Sequence, residues 1–270
     1  MTLLTRLRAP LRALAASLFL SLALVRPAAA TDWTDIWWAI PEVGWGVNFV
    51  QSDQFIFATF YLHDANLQPV WYTGQMTRNA TTEVWSGGLY RTTGSYFGAP
   101  WNGSQTDTQQ VGSVSFTPST SYAGTLTYNV GAVNVTKQIT RLTLTTIPLG
   151  GLYRGGIASY VSSCNNPANN GVARIFVDVQ ATQTSGNALS LDFFLNGKDS
   201  GGGSCTLAGN AVQEGTLYRI PGGSYVCGSA FSGTANVTDI KATAQGIEGQ
   251  WSANVGDGCV ESGYFSAVLY

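Results

Sequence analysis

The chain has 270 residues, with 44% hydrophobic and only 10% charged side chains, 32 glycines and four cysteines. Its formal net charge is −2, and −6 for residues 31–270, where nine Lys+Arg face fifteen Asp+Glu. That balance argues against nucleic acid or anionic lipid as a partner, because both are bound through basic patches.

Met1–Ala30 has the order of a secretory signal. Arg6, Arg8 and Arg12 precede an apolar run over Ala13–Val25, and Ala28-Ala29-Ala30 supplies small residues for cleavage. The run is too short to span a bilayer, and no later stretch is long and apolar enough to do so as a helix. The expectation is a secreted or periplasmic protein beginning near Thr31.

From there the chain reads as short β segments punctuated by turn residues. The first half is expected to hold Trp33–Ala39, Gly44–Gln51, Gln54–His63, Pro69–Thr77, Val84–Thr92, Val111–Phe116, Thr125–Val130 and Val133–Ile139. Gly131 at the first central position of the last hairpin suits a type II′ turn. Thr145–Gly151 interrupts the pattern with Pro148 and two glycines. We place a boundary there, giving a Trp-rich domain over 31–147 and a disulfide-stabilised domain over 148–270. The second is expected to hold Leu152–Val161, Val172–Gln180, Leu189–Leu195, Cys205–Gln213, Thr216–Cys227, Gly233–Ala242, Gly246–Asn254 and Val260–Leu269. The expected fold is therefore all-β: two tandem antiparallel barrel-like or sandwich domains of about eight strands each. The tetrapeptide Gly88-Leu89-Tyr90-Arg91 recurs as Gly151-Leu152-Tyr153-Arg154, a thin echo of duplication.

Cys164, Cys205, Cys227 and Cys259 lack CxxC spacing, and His63 is the sole histidine, so two disulfides are expected and no metal site. In a closed up-and-down barrel the first and last strands are antiparallel neighbours. Closure would bring Cys164 beside Cys259 and leave Cys205 with Cys227.

The first half contains Trp37-Trp38, Glu42-Val43-Gly44-Trp45-Gly46-Val47-Asn48, Phe57-Ala58-Thr59 and the turn His63-Asp64-Ala65-Asn66-Leu67-Gln68-Pro69-Val70-Trp71-Tyr72. In these motifs it resembles a β-module of exported Gram-negative bacterial proteins whose activity is uncharacterised. Gly88–Gly94 and Lys137–Arg141 also fit the pattern. It implies export and a β-fold but no reaction. Two departures are His63 for the usual aromatic and Leu67 for the usual turn glycine. Leu tolerates positive φ poorly, so a differently shaped turn is expected there.

No catalytic residue is assigned. A nucleophile would need a base placed against it, and His63 has neither a GxSxG motif nor a free cysteine to serve. No cofactor-binding pattern is present. The leading reading is a non-enzymatic binding or interaction module for a glycan or another envelope component. Trp37, Trp38, Trp45 and Trp71 are the candidate contacts, with Glu42 and Asn48 as polar partners. The alternatives are a glycan-active hydrolase using a carboxylate pair that includes Glu42, and a structural envelope or matrix protein. Phe55, Phe57 and Tyr61 share one face of a strand, and Ile56, Ala58 and Phe60 the other. Apolar residues on both faces fit a strand covered on both sides or one facing lipid.

Overall fold

The computed structural model describes residues 31–228 and 231–270, so the expected signal segment lies outside the described residues. Alternation and turn chemistry produce eight antiparallel strands in the first half. They are β1 (Asp35–Trp38), β2 (Gly46–Ser52), β3 (Phe55–His63), β4 (Pro69–Arg78), β5 (Trp85–Thr93), β6 (Asp107–Thr120), β7 (Ala123–Val130) and β8 (Val133–Arg141). They pair in sequence order, and β8 returns to β1 through Trp37↔Arg141 and Trp38↔Thr140 to close a barrel. At the β7–β8 hairpin Gly131 takes φ +55° while Ala132 keeps a negative φ, as a type II′ turn requires.

The second half runs β9 (Gly151–Ser162), β10 (Gly171–Gln183), β11 (Ala188–Leu195), β12 (Ser204–Asn210), β13 (Val212–Glu214), β14 (Leu217–Cys227), β15 (Phe231–Ala242), β16 (Gly246–Asn254) and β17 (Val260–Leu269). Pairing of β12 with β14 and of β17 with β9 closes a second eight-stranded ring, with β13 as a short appendage on β14. The single strand expected over Cys205–Gln213 is thus split. Ala211, buried, extends the β11–β12 pairing by giving its N–H to the Asn187 carbonyl, and the register against β14 slips by one residue between Ala208↔Ser224 and Val212↔Arg219. Closure joins Cys164 to Cys259 and Cys205 to Cys227. Two disulfides are the mark of a chain that folds in an oxidising, extracytoplasmic compartment.

Each barrel is filled rather than hollow. Trp37, Phe49, Phe60 and Phe116 lie fully buried in the first, with Trp37, Phe49 and Phe116 ring centroids 5.1–5.7 Å apart. Phe193, Trp251 and Phe265 occupy the second. Interiors of this kind, with Thr, Ser, Asn and Gln abundant outside, invert the pattern of a membrane barrel, which is apolar outside and polar within. Among the described residues no helix is long and apolar enough to cross a membrane. The tetrapeptide echo is not a repeated structural position. Leu89 points inward on the fifth strand of one barrel, whereas Tyr153 is the inward residue on the first strand of the other.

The barrels meet through a buried polar junction. Asp35 and Arg141 form an ion pair at 3.0 Å, with side chains only 6% and 1% exposed. The other end of the first barrel, where β1–β2, β3–β4, β5–β6 and β7–β8 turn, points away from that junction.

Candidate functional site

The fold sorts the six candidate residues into the core, the free end of the first barrel and one outer face. Trp37 and Trp38 are neighbours on β1, so their side chains face opposite sides of the sheet. Trp37 faces in. It is fully buried, donates its indole N–H to the Trp33 carbonyl at 3.1 Å, and lies under the Arg141 guanidinium at 4.9 Å. Trp37 therefore offers no surface to a ligand and belongs to the core.

Trp45 and Glu42 form a lid over the free end of the first barrel. The Trp45 indole donates to the Tyr128 hydroxyl at 3.2 Å, and the Lys137 ammonium sits 5.2 Å from the Trp45 ring. Lys137 also forms an ion pair with Glu42. Burial raises the Tyr128 phenol above its ordinary pKa, against smaller opposing effects of the Trp45 bond and the Lys137 charge. The hydroxyl therefore stays protonated at neutral pH and accepts from the indole. Glu42 is engaged in this lid, an arrangement that closes the barrel mouth.

Trp38, Asn48 and Trp71 come together on the outer face of β1–β4. Tyr61 stands directly opposite Gly46 on one side and Trp71 on the other. The β1–β2 register of Trp37↔Val47 continues to place Trp38 beside Gly46. The result is a cross-strand row, Trp38, Gly46, Tyr61, Trp71, in which glycine leaves a slot between two aromatic rings. Tyr61 and Trp71 are 56% and 51% exposed. The next row is Asn48, Thr59, Thr73, and beyond it lie Val50, Phe57 and Gln75. Phe55 and Phe57 extend the apolar surface, each 38% exposed. None of the outward positions on these four strands carries a formal charge. Of the two apolar faces of β3, closure selected Ile56, Ala58 and Phe60 for the interior and left Phe55, Phe57 and Tyr61 outside.

On the opposite side, the outer face of β5–β8 has a shallow depression of about 370 Å³ lined by Ser86, Ser113, Thr127, Asn129 and Asn134 among others. Its groups largely satisfy one another. Asn129 accepts from both the amide and the hydroxyl of Ser113, and Thr127 pairs with Thr136 at 3.1 Å.

A third surface was not anticipated. The β5–β6 connection presents Tyr96, Phe97 and Trp101 to solvent, with Phe97 95% exposed. Its sequence signal was available: Gly94–Thr106 contains three aromatics and Pro100 but no charged residue. Leu67 adopts φ +63°, a left-handed conformation that leucine takes only rarely. Asp64 holds it there, its carboxylate accepting the Asn66 and Gln68 amides at 2.8 and 2.9 Å.

No family model matches the chain, and no curated protein matches it. Among solved structures, the isotype 1 transferrin binding protein B from serogroup B Neisseria meningitidis is similar, with 13% identity and a TM-score of 0.33. That match covers 84% of this chain and 66% of the other, so this chain spans just under two thirds of that protein's length.

Proposed function

We propose that this chain is an exported binding module whose outer β1–β4 face takes a neutral glycan of the cell envelope. The observation that carries the reading is the row of Tyr61 and Trp71, in register on adjacent strands and half exposed, beside the Asn48–Thr59–Thr73 row. A pyranose presents an apolar C–H face and a rim of hydroxyls. Aromatic rings take the first and uncharged amides and hydroxyls take the second. Exposed aromatics grouped in this way are uncommon on monomeric proteins unless a ligand covers them. The absence of formal charge on this face fits a neutral sugar better than a uronic acid or a phosphorylated one.

The test is titration of neutral polysaccharides, among them glucans, mannans and chitin oligomers, with tryptophan fluorescence and calorimetry as readouts. Loss of one stacking ring costs about 1–2 kcal/mol, so Trp71→Ala or Tyr61→Ala is expected to weaken binding roughly tenfold. Both side chains project from the barrel, so folding should survive the substitutions. Silence across the panel, or binding indifferent to both substitutions, overturns the proposal.

A further inference from the structure

The two ends of the first barrel differ in chemistry. At the end facing the second barrel, the turns carry Asp53, Gln54, Asn79 and Glu83, and Arg78 grips Glu83 through two nitrogens. At the free end every turn carries an exposed apolar side chain. Ile40 and Val43 are 67% and 94% exposed on the β1–β2 turn, and Leu67 is 80% exposed on β3–β4. Phe97 and Trp101 project from β5–β6, and Val133 from β7–β8 at 64%.

These tips are built, not frayed. In the β5–β6 loop the Ser95 hydroxyl donates to the Asn102 carbonyl at 2.8 Å and accepts its amide at 2.9 Å. The loop is thereby clamped at its neck. Ala99 donates to the Tyr96 carbonyl, which leaves Phe97 at the apex of a tight turn. Leu67 is held at φ +63°, where neither its backbone nor any packing favours leucine.

We infer that the free end of the first barrel docks on a lipid bilayer, inserting these tips into the headgroup region of a zwitterionic membrane. Two features select a bilayer over a protein partner. Protein interfaces place their apolar anchors at the centre and their polar groups at the rim. Here the order is reversed: the centre is the Glu42–Lys137 ion pair, and the apolar groups surround it on separate turns. A fluid interface accepts such separate tips without a complementary rigid shape, and Trp, Tyr and Phe favour its depth. Charge selects the lipid class. The four turns contain only Glu42, tied to Lys137, and Asp64, engaged by two amides, and no Lys or Arg. Neutral headgroups match such a surface, and a chain carrying net −6 over residues 31–270 is repelled by anionic ones.

The test is co-sedimentation of the exported, purified protein with phosphatidylcholine vesicles and with phosphatidylglycerol vesicles, at low and high salt. The expected result is binding to phosphatidylcholine that salt leaves unchanged, together with tryptophan quenching by brominated acyl chains. The F97S/W101S pair should lower partitioning by about tenfold or more, since two large apolar groups leave the interface. Circular dichroism of the variant should match the parent, and Val43→Ser provides a second, smaller reduction from a different turn. Failure to bind either vesicle overturns the inference. So does binding confined to anionic vesicles and abolished by salt, or binding that F97S/W101S leaves intact. A photo-crosslinker at position 97 that captures protein while the vesicles are ignored assigns the rim to a protein partner instead.

Discussion

Asp35→Ala tests the junction between the barrels. One Asp35 oxygen accepts from Arg141 at 3.0 Å, from the Thr216 amide at 3.0 Å and from the Thr216 hydroxyl at 2.8 Å; the other accepts the Ile36 amide at 2.8 Å. Alanine removes all four bonds and leaves the Arg141 charge nearly solvent-free against the Ser121 and Thr34 carbonyls. Truncating one partner of a buried ion pair costs about 3–5 kcal/mol, because the other charge stays buried. Thr216→Val removes only one bond to the carboxylate, worth about 1.5–3 kcal/mol. The two substitutions should therefore add to less than their sum. Gly215→Ala is a companion from the other barrel. Gly215 sits at φ +65°, and a Cβ there would lie 2.5 Å from the Asp35 carboxylate. Urea denaturation followed by tryptophan fluorescence is the assay, because seven of the eight tryptophans lie in the first half and report that barrel directly. A loss below about 1 kcal/mol for Asp35→Ala would refute the reasoning, by showing that the buried Arg141 charge does not depend on the Asp35 carboxylate.

Three further outcomes are expected. Replacing Cys164 and Cys259 by serine opens a crosslink spanning 95 residues and should cost about 4–5 kcal/mol in the chain-entropy model; the 22-residue span of Cys205–Cys227 should cost about 3, both read by urea midpoints. Leu67→Gly relieves a left-handed leucine and should raise stability by up to about 1 kcal/mol, while removing one tip from the free end and weakening vesicle binding. For pH, the Arg154 hydrogen bond and then the Lys198 amide hold the Asp178 carboxyl below its ordinary value. The folded state thus takes up that proton less readily than the unfolded chain. The associated stability is present above about pH 4 and is lost as pH falls through the depressed pKa. Asp178→Asn should flatten that acid limb in urea titrations at stepped pH, and an unchanged limb would remove Asp178 from the account.

Much of the architecture was legible in the chain itself. Strands fell where apolar and polar residues alternate between turn residues, because the side-chain period of two is a local property. The disulfide pairing followed from closure, a consequence of even strand number and antiparallel order. The break near Ala211 was not legible, because it is a one-residue register slip against β14, set by the partner strand rather than by the segment's own alternation.

The site divides in the same way. Alternation determined that Trp37 and Trp38 oppose each other, and that Phe57 and Phe60 lie on opposite faces of their strand. It could not say which of each pair would meet water, since either choice buries an aromatic ring. Only the closed barrel decided it, by putting Trp37 and Phe60 inside with Phe49 and Phe116 and turning Trp38, Phe57, Tyr61 and Trp71 outward. Burial is set by curvature and by partners from other strands. A strand that is apolar on both faces leaves that choice to its neighbours.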